Sequence, residues 1–150
     1  MTTIAADLNG MAADSKCCFG DIHFPVAKII RLKDGSLLAT AGTATYTGPF
    51  EAAMLAGETP KLKEDSPDTD FAALHLTKAG LFVYDCSWHP DKVLSGHCAI
   101  GTGAMVAMSY LLNGASPSVA VERACEVDNN SGLPVQTELL KGKRANPPRS

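Results

Sequence analysis

The chain has 150 residues, 45% of them hydrophobic and 19% charged, with a formal net charge of −3, values that fit one ordinary globular domain rather than a disordered or repetitive chain. That balance gives no electrostatic case for nucleic acid or an anionic membrane surface as partner. No apolar run approaches the roughly 20 residues of a membrane span, and the N-terminus lacks the basic-then-apolar pattern of a signal peptide.

Taken in chain order, Thr2 to Asp7 and Met11 to Asp14 read as short strands joined through Asn9-Gly10, a dipeptide that tolerates the positive φ of a tight hairpin turn. Val26 to Leu32 and Ser36 to Ala41 flank Lys33-Asp34-Gly35 as a second hairpin, and Phe71 to Leu76 and Leu81 to Tyr84 make a third around Thr77 to Gly80. Between them Thr45 to Leu55 is a helix candidate, with Gly48-Pro49 predicting a start at Pro49. The stretch Gly57 to Asp70 reads as a solvated loop, and Trp88-His89-Pro90 as a surface turn. Ala104 to Leu112 is helical and stops at Asn113-Gly114, after which Ser116-Pro117 caps a helix to about Val127. A last strand is predicted over Leu133 to Leu140, followed by a mobile basic tail at 141–150, so that residues 1–140 form the domain. Hairpins first and paired helices later point to an α+β layered domain of antiparallel sheets.

Five cysteines, an odd count without CxxC, argue against a disulfide framework and for a reducing compartment. Cys17 and Cys18 with His23 match no standard zinc spacing. His75 and His97 read as structural, because no carboxylate-and-nucleophile pattern accompanies them.

The chemistry-bearing candidate is Thr2. A threonine hydroxyl is a weak nucleophile that needs a base within reach. Its own α-amine, with a pKa of about 7.7–8.0, can serve if removal of Met1 makes Thr2 the first residue. Position two is also ordinary for a β-forming threonine, so partners decide the matter. Lys28 lies among Val26, Ile29 and Ile30; if it points inward it needs a counter-ion, for which Asp14 is the candidate. An ammonium so held beside Thr2 would lower the hydroxyl pKa and steady developing negative charge. DNNSG (Asp128 to Gly132) reads either as a turn ending a helix or as a polar clamp for an amine. AIGTGAMVA lacks both GxGxxG and the Walker lysine, and Thr102 within it could supply a hydroxyl.

These segments, TTIAADLNGMAADSK, VAKIIRL, LLATAGTA, AIGTGAMVA and DNNSG, lie in an order that resembles the proteasome β-subunit family, above all its HslV-type bacterial members among the N-terminal-nucleophile hydrolases. The resemblance implies a four-layer αββα sandwich, here with a reduced helical layer after residue 45. It implies a threonine-type endopeptidase with Thr2 as nucleophile, Lys28 and Asp14 beside it, Thr102 in place of the usual serine, and Asp128 and Ser131 orienting the amine. Backbone groups around Ala41, Gly42 and Thr43 would hold the oxyanion and the substrate. It further implies a cytoplasmic homo-oligomeric ring acting on peptide or unfolded protein, an AAA+ unfoldase ATPase as partner, and no metal or organic cofactor. Two alternatives stand beside it: a catalytically inactive subunit of the same fold, and an amidase for small molecules.

Overall fold

The computed structural model of the chain describes residues 2–62 and 70–140. Met1, residues 63–69 of the expected solvated loop and the expected mobile tail at 141–150 lie outside the described residues.

The first hairpin forms where expected, but not by the expected means: neither Asn9 nor Gly10 has a positive φ, and the turn is Leu8-Asn9, with Gly10 opening the next strand. Asp7 Oδ1 accepts the N–H groups of Asn9 and Gly10 at 2.8 and 3.0 Å, and this side-chain turn joins β1 (Thr3–Asp7) to β2 (Gly10–Ala13). On the far side of β1 runs β10 (His97–Gly101), paired with it along its whole length, and on the far side of β2 runs β11 (Gln136–Leu139). The first sheet is therefore antiparallel, in the order β10-β1-β2-β11. The second is a meander of β5 (Ile29–Arg31), β6 (Leu37–Gly42), β7 (Phe71–Thr77), β8 (Gly80–Tyr84) and β9 (Pro90–Lys92). A separate hairpin, β3 (Lys16–Phe19) with β4 (Ile22–Pro25), leads from the first sheet to the second.

Strand alternation builds the layers. Ile4 and Ala6 of β1 and Met11 and Ala13 of β2 face Leu37, Ala39, Leu74, Leu76 and Leu81 of the second sheet. Their neighbours Ala5 and Ala12 face outward onto α2 (Ala104–Leu112) and α3 (Pro117–Val127), through Ala107, Leu111, Ala120, Val121 and Ala124. Small alanines on both sides of this contact let the two helices lie close to the sheet. On the outer face of the second sheet, α1 (Ala44–Leu55) inserts Phe50 among Leu38, Phe71, Ala73, Tyr84 and Trp88. The result is the expected four-layer αββα architecture, with α1 as the whole described helical layer on that side.

Several expectations change, and the strand expected over Val26 to Leu32 narrows to Ile29–Arg31. Helix α1 begins at Ala44, not Pro49, and holds Pro49 in its interior; Phe50, fully buried against three aromatic rings at 4.9–5.4 Å, anchors the helix against the local cost of Gly48-Pro49. Trp88 is no surface residue: it is 8% exposed and packs on Phe50 and Phe71, with its backbone at a φ of +61°. The last strand is shorter than Leu133 to Leu140, spanning Gln136–Leu139. His75 is structural in position: its Nε2 lies 2.9 Å from Ser36 Oγ, which donates to Asp34 Oδ1 at 2.5 Å, tying β7 to the β5–β6 turn. Among the described residues no helix is long and apolar enough to cross a membrane.

Candidate active site

Asp14 leaves the end of β2 fully buried. A buried carboxylate needs donors, and the backbone supplies three. Thr3 N–H donates to Oδ1 at 2.9 Å, while Lys16 N–H and Gly132 N–H donate to Oδ2 at 3.1 and 3.0 Å. The remaining partner is a cation. Lys28 Nζ, on a side chain 9% exposed, donates to Asp14 Oδ1 at 2.9 Å and to Thr2 Oγ1 at 3.1 Å. The ammonium thus bridges a buried carboxylate and the Thr2 hydroxyl.

Lys28 stands one residue before β5, where no sheet ladder holds its backbone. Gln136 of β11 does so instead. Its Oε1 accepts Lys28 N–H at 2.7 Å, and its Nε2 donates to Val26 O at 2.9 Å and Ser15 Oγ at 3.0 Å. One amide therefore fixes the 26–28 segment against the first sheet.

A second polar cluster lies on the other side of Thr2. Thr102 N–H donates to Thr2 O at 2.8 Å, and Thr102 Oγ1 donates to Asp128 Oδ2 at 2.6 Å. Ser131 Oγ also donates to Asp128 Oδ2 at 2.6 Å. The buried Thr3 hydroxyl lies 2.6 Å from Ser131 Oγ and accepts Gly103 N–H at 3.0 Å. Burial pushes the Asp128 carboxyl upward, but hydrogen bonds from Ser131, Thr102, Asn130 and Thr3 outweigh it and hold the group below the usual carboxylate range. Asp128 is thus an anion at neutral pH. Nearby, burial pushes the Cys125 thiol up to about 11, reinforced by the carboxylates of Asp14 and Asp128, which leaves it no competing thiolate at neutral pH.

Thr2 opens into a cleft of about 300 Å³ between the ends of the two sheets, lined by Thr2, Gly101 and Thr102 from the first and by Ala41, Gly42 and Asp70–Ala72 from the second. The sheet register orients the backbone here. Thr43 N–H donates to Asp70 O at 3.1 Å, and Gly42 is opposite Phe71. In an antiparallel ladder such pairs alternate, so Gly42 N–H turns away from β7, to the side where β5 has already ended opposite Ala39.

The structure therefore gathers Thr2, Asp14, Lys28, Thr102, Asp128 and Ser131 around one point, and it places Ala41 and Gly42 on the cleft wall. Thr43 is displaced from the expected substrate-facing set: it does not line the cleft, and its N–H is committed to Asp70. Thr3, Gly103, Gln136 and Asp70 join the site without having been singled out from the sequence. Thr3 looks like strand filler, and Gln136 belongs to no motif; their roles arise from contacts more than 100 residues apart. Among the described residues, no group of three or more His, Cys, Asp and Glu is placed to hold a metal ion.

No family model matches the sequence, and no curated protein sequence matches it either. Solved structures do. Thiobacillus denitrificans BPH superposes with a TM-score of 0.70 at 22% identity, over 92% of this chain and 97% of that one. HslV from Trypanosoma brucei gives 0.68 at 17% identity, over 92% and 98%. An Anbu variant from a Hyphomicrobium species gives 0.67 at 13% identity, over 93% and 81%. The chain has the fold of these proteasome-type N-terminal-nucleophile proteins, as its resemblance to that family implies.

Proposed function

We propose that the chain is a threonine-type endopeptidase in which Thr2, made the first residue by removal of Met1, attacks a peptide carbonyl. The observation that carries the reading is the Lys28 ammonium, 3.1 Å from Thr2 Oγ1 and held by buried Asp14. In the mechanism, Thr2 Oγ1 adds to the carbonyl carbon while the Thr2 α-amine takes the hydroxyl proton. Lys28 favours the developing alkoxide. The oxyanion forms beside Gly42 N–H, since the N–H of Thr43 is already used. The amine then delivers its proton to the leaving nitrogen as the C–N bond breaks, leaving an ester on Thr2. Water, deprotonated by the same amine, hydrolyses that ester and restores the site. Asp128, Ser131 and Thr102 hold the polar wall beside the amine, and no metal or organic cofactor is needed for these steps.

The exposed Phe19, Ile22 and Phe24 on the β3–β4 hairpin support assembly into a homo-oligomeric ring, with unfolded protein as substrate and an AAA+ unfoldase as the feeding partner that the resemblance implies. Five free cysteines favour a reducing, cytoplasmic setting. BPH has been solved in complex with epoxomicin, which makes that compound the first ligand to try at this cleft. A second reading, an amidase for small molecules, is favoured by the modest cleft of about 300 Å³.

The test joins intact-mass measurement with peptide-amide hydrolysis. The endopeptidase reading expects loss of Met1, cleavage of unfolded protein, and abolition of cleavage by Thr2→Ala with partial retention by Thr2→Ser. Retained Met1 on every molecule, with no hydrolysis, would establish the inactive subunit. Hydrolysis confined to small amides would establish the amidase.

A further inference from the structure

Thr3 follows Thr2 directly and is fully buried. By strand alternation its side chain leaves β1 on the face where Ala5 and Ala12 meet the helices. At such an apolar contact a valine would match the shape of threonine, and a buried hydroxyl is costly unless it is bonded.

This hydroxyl is bonded on both sides. Gly103 N–H donates to Thr3 Oγ1 at 3.0 Å, and Ser131 Oγ lies 2.6 Å from it. Each hydroxyl has one proton to give. Ser131 directs its own to the Asp128 carboxylate at 2.6 Å, so the Thr3 proton points to Ser131. Donation therefore runs in one direction, from Gly103 through Thr3 and Ser131 to Asp128, where the Thr102 hydroxyl also ends at 2.6 Å.

The backbone of the same residue holds the other half of the site. Thr3 N–H donates to Asp14 Oδ1 at 2.9 Å, the oxygen that also accepts the Lys28 ammonium, and Thr3 O accepts Asp14 N–H at 3.0 Å. Gly103 precedes α2 and reaches Thr3 because it has no side chain; a Cβ there would collide with Thr3 Oγ1. Thr102, one residue earlier, donates its N–H to Thr2 O at 2.8 Å. One buried residue thus joins β1, the end of β2, the start of α2 and the loop after α3.

We infer that Thr3 is a positioning residue for the reaction, its hydroxyl tying Thr102, Ser131 and Asp128 to the strand that carries the nucleophile. The inference rests on the reading of Thr2 as the reacting residue. Without that hydroxyl, Gly103 N–H loses its acceptor and Ser131 Oγ loses its donor, so the polar wall is no longer fixed relative to Thr2. Thr3 does not line the cleft, so its effect falls on turnover and not on substrate binding.

The competing role is that of a strand residue which contributes to folding alone. Steady-state hydrolysis of one peptide amide separates the two, with rates expressed per folded molecule by circular dichroism. Thr3→Val keeps the shape and removes the hydroxyl; its kcat is expected to fall about ten- to hundredfold, with KM within about twofold of wild type. Thr3→Ser restores the hydroxyl and is expected to return kcat to within about threefold of wild type. An unchanged kcat in Thr3→Val overturns the inference, as does an equal loss in Thr3→Ser or a loss confined to KM. If Thr3→Val does not fold, Thr3→Cys takes its part, with a weaker donor in the same place; a kcat equal to that of Thr3→Ser then overturns the inference. Thr2→Ala is the control for the reading beneath it. Hydrolysis that survives Thr2→Ala, or its absence from the unmodified protein, overturns the endopeptidase reading and the inference with it. Hydrolysis lost in Thr2→Ala and kept in Thr3→Val overturns the inference alone.

Discussion

The Lys28 ammonium donates to the Thr2 hydroxyl at 3.1 Å across 26 residues of sequence, and its other partner is the fully buried Asp14 carboxylate at 2.9 Å. One cation thereby serves stability and chemistry together. Lys28→Met leaves Asp14 buried without its counter-ion, though still with three N–H donors, and is expected to cost about 3 kcal/mol in urea unfolding. Amide hydrolysis should fall by about 10²–10³-fold. Lys28→Met/Asp14→Asn should restore none of the activity and little stability, since the amide NH2 then faces a backbone N–H that the carboxylate oxygen had accepted. Recovery of activity in the double variant would overturn the role given to the ammonium.

Gln136 does not line the cleft, yet it holds the backbone of Lys28 at 2.7 Å and that of Val26 at 2.9 Å. Gln136→Ala removes these bonds and leaves part-buried donors and acceptors behind, a loss of about 2–3 kcal/mol. As a positioning residue, it should lower kcat more than it raises KM, since the displaced group is the ammonium and not the cleft wall. Steady-state kinetics with one peptide amide distinguish this from a purely structural loss, which would reduce the active fraction and leave KM unchanged with no shift in the pH profile.

Gly101 ends β10 at φ +96°, where a Cβ would collide with the carbonyl oxygen of Thr2. Gly101→Ala is strained in backbone and in contact, and is expected to destabilise by about 2 kcal/mol or more. The larger effect falls on Thr2, whose carbonyl is held by Thr102 N–H at 2.8 Å. Activity should drop further than the folded fraction measured by circular dichroism. Equal losses in both would mean that the position matters only for folding.

The pH dependence of stability follows from Asp128. Burial pushes its folded carboxyl upward, but the hydrogen bonds from Ser131, Thr102, Asn130 and Thr3 outweigh that push and hold it below the usual carboxylate range. The unfolded chain therefore takes up this proton first as the pH falls. The stabilisation is fully present above about pH 4 and is lost as the pH drops through 3.8 toward the folded value. Melting temperatures of wild type and Asp128→Asn, compared from neutral pH downward, should show a difference that shrinks in that window. A difference independent of pH would remove the charge from the account.

Much of the fold was legible because it is written in neighbours. Lys33-Asp34-Gly35 and Ser116-Pro117 each act within a few residues, as does the Asp7 side chain that closes the Leu8-Asn9 turn, and the hairpins and α3 stand where such local signals put them. Strands β3, β4, β9 and β10 were not read from the sequence, and the burial of Trp88 was read wrongly. Short strands such as β9 and β10 take their conformation from the partners they pair with, and an indole at positive φ is placed by the aromatic cluster it joins.

By itself, then, the sequence determined the local turns, the alternation that assigns Ile4 and Ala5 to opposite faces, and the types of residue available for chemistry. Only the tertiary structure decided that Lys28 reaches Thr2, that Gln136 holds Lys28, and that Thr3 meets Ser131 across 128 residues. It also decided that Asp70 rather than Thr43 faces the cleft. The reason is physical: a turn is settled by the dihedral preferences of two or three residues, whereas a contact between distant side chains depends on how two sheets register and stack, which every buried residue sets jointly.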